Sequence, residues 1–374
     1  MLPRRNFLAA FLGFAARADA SPLKVERVEY IKVVVPMRPG VVVSEDYGPN
    51  LDIRLRDFDK YPKFILKVHS GGLTGIGETG RDVPQEAVAK NAEFLTGKNL
   101  WQLDMASPAL GLPERRTADG FEIAIYDLIG KSQDVPVYNL LGGRQQEKVA
   151  VSYWTGQRTL PDLVRVGERA VELGFRNLKF KARYGDPIDR QLAAVSKAAP
   201  ELSFIVDFNS SYPDLASFLP VGQRLQQFNL TIEDPVPKRL DWFREFRRRL
   251  PIPLAITPSG AAQMYEAIRA EACDVFNLGG TMRDFVRNCY IAELAGIPVW
   301  HGSGVELGIR DMSFIHAAAA TKSCTVPSDT LCFLRQSDLL ATPFQVKGGY
   351  IAVPTTPGLG VELDEAALRK YRVA

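Results

Sequence analysis

The chain has few of the residues and patterns that mark several functional classes. Its four cysteines, Cys273, Cys289, Cys324 and Cys332, show no CxxC spacing, which argues against a zinc or redox-motif reading. No stretch reaches eighteen apolar residues, so nothing reads as a membrane span. No Lys/Arg run is interleaved with aromatics, and a net charge of +3 is small for 374 residues, so there is no nucleic-acid footprint. The FREFRRRL cluster near Arg247 reads as the solvated end of a helix. Low-complexity segments are absent, and histidine is scarce: His69, His301 and His316 only.

What is present fits a soluble globular protein, with 46% apolar and 24% charged residues and enough chain for one large domain or two ordinary ones. Residues 1–20 differ from the rest. Arg4 and Arg5 precede an apolar run from Phe7 to Ala16, and Ala18-Asp19-Ala20 supplies a small-x-small cleavage candidate. This predicts a twin-arginine-like export signal, with no stable membrane insertion once it is removed. In an exported protein Cys324 and Cys332 could pair across TVPSDTL; buried free thiols are the alternative.

From Leu160 onward, helical and strand-like segments alternate. PDLVRVGERAVELGF puts Leu163, Val166, Ala170 and Leu173 on one helical face and stops at Gly174. Strand candidates follow at NLKFK, LSFIVDF, NLTIEDP, IPLAITP, CDVFNL and IPVWHGS, which predicts parallel βα units closed into a barrel. In NLKFK, period-two alternation places Lys179 and Lys181 on one face. Lys181, Asp207 and Glu233 recur at intervals of 26 residues, one βα unit, each at the C-terminal end of an apolar run. That end of a βα barrel is where active sites sit, so these charges are expected to share its mouth. Residues 21–145 read as a second, α+β domain whose first strands flank MRPGVVVSEDYGPN, a candidate lid or a plain connection. Residues 146–342 form the barrel domain, and 343–374 are expected to return to the cap.

KFKA, VDFN and IEDP, in this order and spacing, resemble the K-x-K, D-x-N and acidic fourth-strand motifs of the enolase superfamily, in its mandelate racemase and muconate lactonising branch. IYDLIGKSQDVPVYNLLGG and TPGLGVELDEAAL resemble that family's cap-to-barrel junction and closing segment. The resemblance covers nearly the whole chain after residue 20. It implies an α/β fold, a modified (β/α)7β TIM-like barrel with an α+β capping domain formed by the N-terminal region and the C-terminal tail. It also implies a Mg2+-dependent enzyme that removes the proton α to the carboxylate of a small-molecule substrate. By that resemblance Lys181 is the base, Lys179 helps neutralise the substrate carboxylate, and Asp207 and Glu233 hold the metal, with Asn209 matching D-x-N. Read without it, Asp207 and Glu233 could instead cap helices or pair with the lysines, and Asn209 could be a turn residue.

The sequence departs from the family at three strands. The fifth, PLAITPSG, has no carboxylate where the family places a third metal ligand, leaving the Thr257 hydroxyl, the Ser259 hydroxyl or a water. The sixth offers Gly279 where relatives carry lysine or aspartate, which argues against a two-base racemase. At the seventh, His301 resembles the histidine of the dehydratase and racemase branches, without the aspartate that would orient it; a structural role is the alternative. Glu306 could donate a hydrogen bond to the substrate carboxylate if protonated, or pair with Lys181. The expectation is an acid-sugar (hydroxy acid) dehydratase, with His301 protonating the departing hydroxyl. Epimerisation or cycloisomerisation, or a degenerate barrel with a binding or structural role, are the alternatives. A homo-oligomer is compatible with all of them.

Overall fold

Strands β1 (Arg27–Val33), β2 (Lys63–Ser70) and β3 (Leu73–Glu78) pair antiparallel in that order, followed by α1 (Gln85–Leu95), α2 (Ala118–Ser132) and α3 (Val137–Leu140). This computed structural model describes residues 23–58 and 60–373, and the export-like segment 1–20 lies outside them. Helix α2 is buried on nearly every side and lies hard against β3: a Cβ at Gly77 would stand 2.2 Å from the Gly120 carbonyl oxygen. Only glycine allows backbones to approach so closely.

From Lys148 the chain alternates strand and helix. The units are β4 (Lys148–Thr155) and α4 (Leu160–Glu172), β5 (Asn177–Lys181) and α5 (Ile188–Ala198), β6 (Ser203–Asp207) and α6 (Leu215–Leu225), and β7 (Leu230–Glu233) and α7 (Leu240–Arg249). They continue as β8 (Leu254–Ile256) and α8 (Ala261–Arg269), β9 (Val275–Leu278) and α9 (Met282–Leu294), β10 (Val299–His301) and α10 (Ile309–Ala319), then β11 (Ser328–Thr330). Strands β4 to β11 are parallel and neighbour one another in chain order; β11 pairs with β4, and a Val299–Cys324 bridge joins β10 to the segment entering β11. Seven βα units and a last strand make the modified (β/α)7β barrel that the sequence predicts. Each helix turns its apolar stripe inward: in α4, Leu163, Val166 and Ala170 are buried. Gly174, which ends the turn after α4, has φ +88° and sits where a Cβ would meet the Val346 carbonyl oxygen at 2.4 Å.

The C-terminal segment first adds β12 (Tyr350–Ala352) antiparallel to Lys148–Ala150 at the foot of β4. It then runs through α11 (Glu365–Tyr371) to the cap, where the Val373 N–H donates to the Lys32 carbonyl at 2.9 Å. The stretch between β1 and β2 crosses the barrel mouth and is pinned there. Asp52 N–H donates to Gln157 Oε1 at 2.6 Å, Gln157 Nε2 to the Asn50 carbonyl at 3.1 Å, and Thr159 N–H to Ser44 Oγ at 3.0 Å. Of the two readings for Cys324 and Cys332, the structure holds free, buried thiols and no disulfide; each thiol instead has a hydroxyl neighbour, Ser328 and Thr330 respectively. Among the described residues no helix is long and apolar enough to cross a membrane.

Buried polar pairs fasten the cap to the barrel. Glu78, at the end of β3, pairs with Lys63 and accepts the Leu307 and Arg310 N–H groups at 2.8 and 2.9 Å, and Arg310 pairs with Asp119. His316 on α10 donates from Nε2 to the Leu359 carbonyl at 3.0 Å and accepts the Tyr138 N–H on Nδ1 at 3.3 Å, which fixes one neutral tautomer. It therefore staples α3 and the tail to the barrel.

Burial holds the His316 imidazole down at about 4, against an ordinary 6.5. As the pH falls the unfolded chain takes up this proton first. The neutral ring thus contributes stability that is full above pH 6.5 and is lost as the pH approaches about 4, at about 1.4 kcal/mol per pH unit. His316→Gln, which does not titrate, is expected to be about 1–3 kcal/mol less stable than the wild type near neutrality. In urea unfolding the gap should narrow as the pH drops towards about 5, whereas a gap that ignores pH would show that His316 is not held neutral in the fold.

Candidate active site at the barrel mouth

The inward-facing positions of the barrel change character along its axis. Ile205, Ala255, Val275 and Trp300 form a small apolar cluster low in the ring. Above it the inward residues are polar and surround a cavity of about 530 Å³, a size suited to a small-molecule ligand. Strand parity makes this layer. Lys179 and Lys181, Asp207, Glu233, Thr257, Asn277 and Asp329 all stand at inward positions near strand C-termini, and the cavity touches every one.

The two lysines of β5 have different environments. Lys179 is 1% exposed, and its Nζ lies 2.7 Å from Glu233 Oε2, 2.8 Å from Asp329 Oδ2 and 5.1 Å from the centre of the Trp300 ring. Burial alone would push this ammonium down, but Asp329, Glu233 and Asp207 outweigh it and hold the pKa above the ordinary range. Lys179 is a fixed cation whose charge is already shared by two carboxylates. Lys181, one turn of the pleat higher, keeps 18% of its side chain exposed and pairs with Asp207.

Asp207 is buried, which favours its neutral form, yet Lys181 and Lys179 hold its carboxyl below the usual range. Its Oδ1 accepts both the N–H and the Nδ2–H of Asn209 at 2.9 Å. Asn209 has φ +46°, a left-handed conformation that asparagine tolerates, and its side chain is spent on orienting Asp207. Glu233 Oε1 accepts from the Thr257 hydroxyl at 3.0 Å and from Asn277 Nδ2 at 2.5 Å. Its Oε2 is 2.7 Å from the Lys179 ammonium, whereas Asp329 Oδ1 is buried with no hydrogen bond.

Among the barrel residues that border the cavity, four carboxylates, Asp207, Glu233, Asp234 and Asp329, face three lysines, Lys179, Lys181 and Lys238. Burial, together with the Glu233 charge, pushes Asp234 up to about 6, and burial pushes Asp329 up to about 6 despite Lys179. Lys238 answers Asp234 at 3.0 Å and also donates to the Thr257 carbonyl. Asp329 Oδ1, buried without a hydrogen bond, and the neighbouring carboxylates of Asp207 and Glu233 form a set of hard oxygen donors that fits a divalent cation such as Mg2+. Among the described residues no group of three or more acidic, histidine or cysteine side chains is arranged for a metal, in keeping with Thr257 standing at the fifth strand. Ser259, the other hydroxyl considered there, is exposed and does not line the cavity.

Two residues expected at the mouth are elsewhere. His301 follows inward-facing Trp300, so strand parity sends its ring outward, between barrel and helices. There it stacks on Phe314 at 3.3 Å and against Phe285 at 5.4 Å, and burial drives its pKa down to about 3. Glu306 lies behind the same wall: it accepts from the Ser303 hydroxyl and the Gly304 N–H and is 3.8 Å from Arg310 Nε. Its carboxyl is pushed up by burial, but Lys63, His301 and Arg310 outweigh this and lower it. It neither pairs with Lys181 nor borders the cavity.

Asp329, Asn277 and Asp234 are site residues that the sequence reading missed. The available signals were an acid flanked by Ser328 and Thr330, a lone amide inside the apolar run VFNL, and the second acid of IEDP. Across from Lys181, Gly279 leaves open space: a Cβ built there meets nothing within 4 Å.

Residues 162–367 match the enolase C-terminal domain-like family. The chain is 32% identical to an N-succinylamino acid racemase of Thermus thermophilus, over 80% of this chain and 86% of that one. It is 25% identical to an arabinonate dehydratase of Saccharolobus solfataricus, over 68% and 71%. A crystal structure of muconate cycloisomerase from Pseudomonas fluorescens shares the fold with a TM-score of 0.76 at 24% identity, covering 94% of this chain and all of that one. The chain therefore belongs to the enolase superfamily, in its mandelate racemase and muconate lactonising branch.

Proposed function

We propose that this protein dehydrates a hydroxylated carboxylic acid, with Lys181 as the base that removes the proton α to the carboxylate. The observation that carries this reading is the contrast within β5. Lys179 is locked between Glu233 and Asp329, whereas Lys181 opens onto the cavity from an oriented carboxylate partner. Superfamily members generally use Mg2+. Asp207, Glu233 and the Thr257 hydroxyl would hold it here, and it would supply positive charge against the charge that gathers on the substrate carboxylate.

Lys181 takes the α-proton, and the electrons of the C–H bond pass into the carboxylate. Breaking the C–O bond of the neighbouring carbon then lets those electrons form the new double bond. The departing hydroxide takes the proton back from the Lys181 ammonium and leaves as water on the same face. Such one-face chemistry needs no second base, and the sixth strand supplies none: it ends Asn277-Leu278 and is followed by Gly279. Lys238 is tied to Asp234. The outward placement of His301 removes it from the proton path expected from the sequence. Cycloisomerisation would begin with the same enolisation and is the second reading; the racemase name of one relative calls for a proton returned to the opposite face, where Gly279 stands.

Two measurements test this. In deuterated water, a bound polyhydroxy carboxylate should exchange its α-proton in the wild type and stop exchanging in Lys181→Met. His301→Gln should keep both exchange and product formation within about tenfold of the wild type, since loss of a true general acid costs roughly a hundredfold to ten-thousandfold. No exchange in folded, metal-loaded wild type across an acid-sugar panel would defeat the enzyme reading. For the metal, Mn2+ followed by its spin resonance should bind the wild type and bind about a hundredfold or more weaker to Asp207→Asn and Glu233→Gln. Unchanged binding in both variants would remove the site.

A further inference from the structure

The cap contributes a second set of charged groups to the same cavity, and one of them is left over. Arg54 lies against Asp52 at 2.5 Å, and the lysines on the barrel side each face a carboxylate. Arg81, in the turn after β3, borders the cavity and has no carboxylate partner among the described residues. Its guanidinium carbon instead sits 5.0 Å from the Tyr61 ring centre and 5.5 Å from that of Phe58. Phe58 is itself held, stacked on Trp154 at 5.0 Å with the rings 3° from parallel.

Aromatic faces stabilise a cation but leave the in-plane N–H groups of a guanidinium free. An arginine resting on two rings in this way presents its fork to a carboxylate, with which two parallel N–H bonds can form at once. The barrel end of the cavity already provides for one carboxylate, the one next to the reacting carbon, so Arg81 awaits a different one. We infer that the substrate carries a second carboxylate, remote from the reacting one, and that Arg81 on its Phe58 and Tyr61 platform binds it. This assignment builds on the proposed enolising role of the mouth, because it fixes which end of the substrate faces Lys181.

The test is calorimetric binding to the full-length, Mg2+-loaded protein of two unreactive series: glutarate, adipate and pimelate, against pentanoate, hexanoate and heptanoate. At least one dicarboxylate should bind about tenfold or more tighter than the monocarboxylate of equal length, the scale expected for charge-assisted hydrogen bonds. The preferred length reports the span between the two anion sites. Arg81→Met should bring that dicarboxylate down to the monocarboxylate level, and Arg81→Lys should keep part of the preference. Because Arg81 is exposed in a turn, both variants should fold, which circular dichroism checks. Equal binding of the two series, binding of neither, or a preference that survives Arg81→Met overturns the assignment. Lys181→Met separates this from the catalytic reading: it should abolish proton exchange while leaving the dicarboxylate preference in place.

Discussion

Lys179 carries a full positive charge to a position only 1% exposed, with carboxylates of two other strands at 2.7 and 2.8 Å and the face of Trp300 beneath it. An unpaired ammonium there would be untenable, and so would unpaired Glu233 or Asp329; removing one member of such a buried set typically costs about 3–5 kcal/mol. The cluster ties the second, fourth and eighth barrel strands together at their C-terminal ends. It also fixes the charge pattern above it. Glu233 faces the cavity with the Lys179 ammonium beside it. Lys181 stays at the open edge because the enclosed position on its strand is already taken.

That division of labour between two lysines was half legible in the sequence. Period-two alternation puts both on one face, and the 26-residue rhythm brings Asp207 and Glu233 to the same rim, so the barrel and its mouth could be read from local pattern. Depth could not. Whether an inward lysine sits in the floor layer or the rim layer depends on how strands stagger around the ring, which one strand does not encode. His301 failed for a related reason. A one-residue difference in parity reverses the face, and VWHGS gives no local sign that the bulky Trp300 turns inward and the histidine outward. Asp329 was hidden because a three-residue strand has too short a pattern to be distinguished from a loop. The added strand β12 and the Arg81 platform rest on contacts between segments far apart in the chain, which no local periodicity reports.

The cap is part of the site. Glu78 receives two N–H groups from the segment beginning α10 and the ammonium of Lys63, so the end of the cap sheet is buried against the barrel wall. The turn bearing Arg81 begins three residues beyond Glu78, close to that anchor. Asp52 and Ser44, upstream of Phe58, are held by Gln157 and Thr159 of the first βα loop. Both walls of the cavity are thus referred to the barrel, which would lower the entropy lost when a ligand binds between them.

The mouth is charged on one side and neutral on the other. Strands β5, β6, β7 and β11 contribute Lys179, Lys181, Asp207, Glu233 and Asp329, whereas the ends of β8, β9 and β10 contribute Thr257, Asn277 and Gly302. Beside Lys238, which borders the cavity but is held by Asp234 and the Thr257 carbonyl, the neutral half has no side chain that takes up or delivers a proton. It can hold hydroxyls: Asn277 and Thr257 keep unused acceptor capacity after donating to Glu233. A substrate whose reacting carbon lies against Lys181 would therefore place its remaining hydroxylated carbons over the neutral half. The one-face reading proposed above rests on how charge is distributed around this ring, independently of what the relatives catalyse.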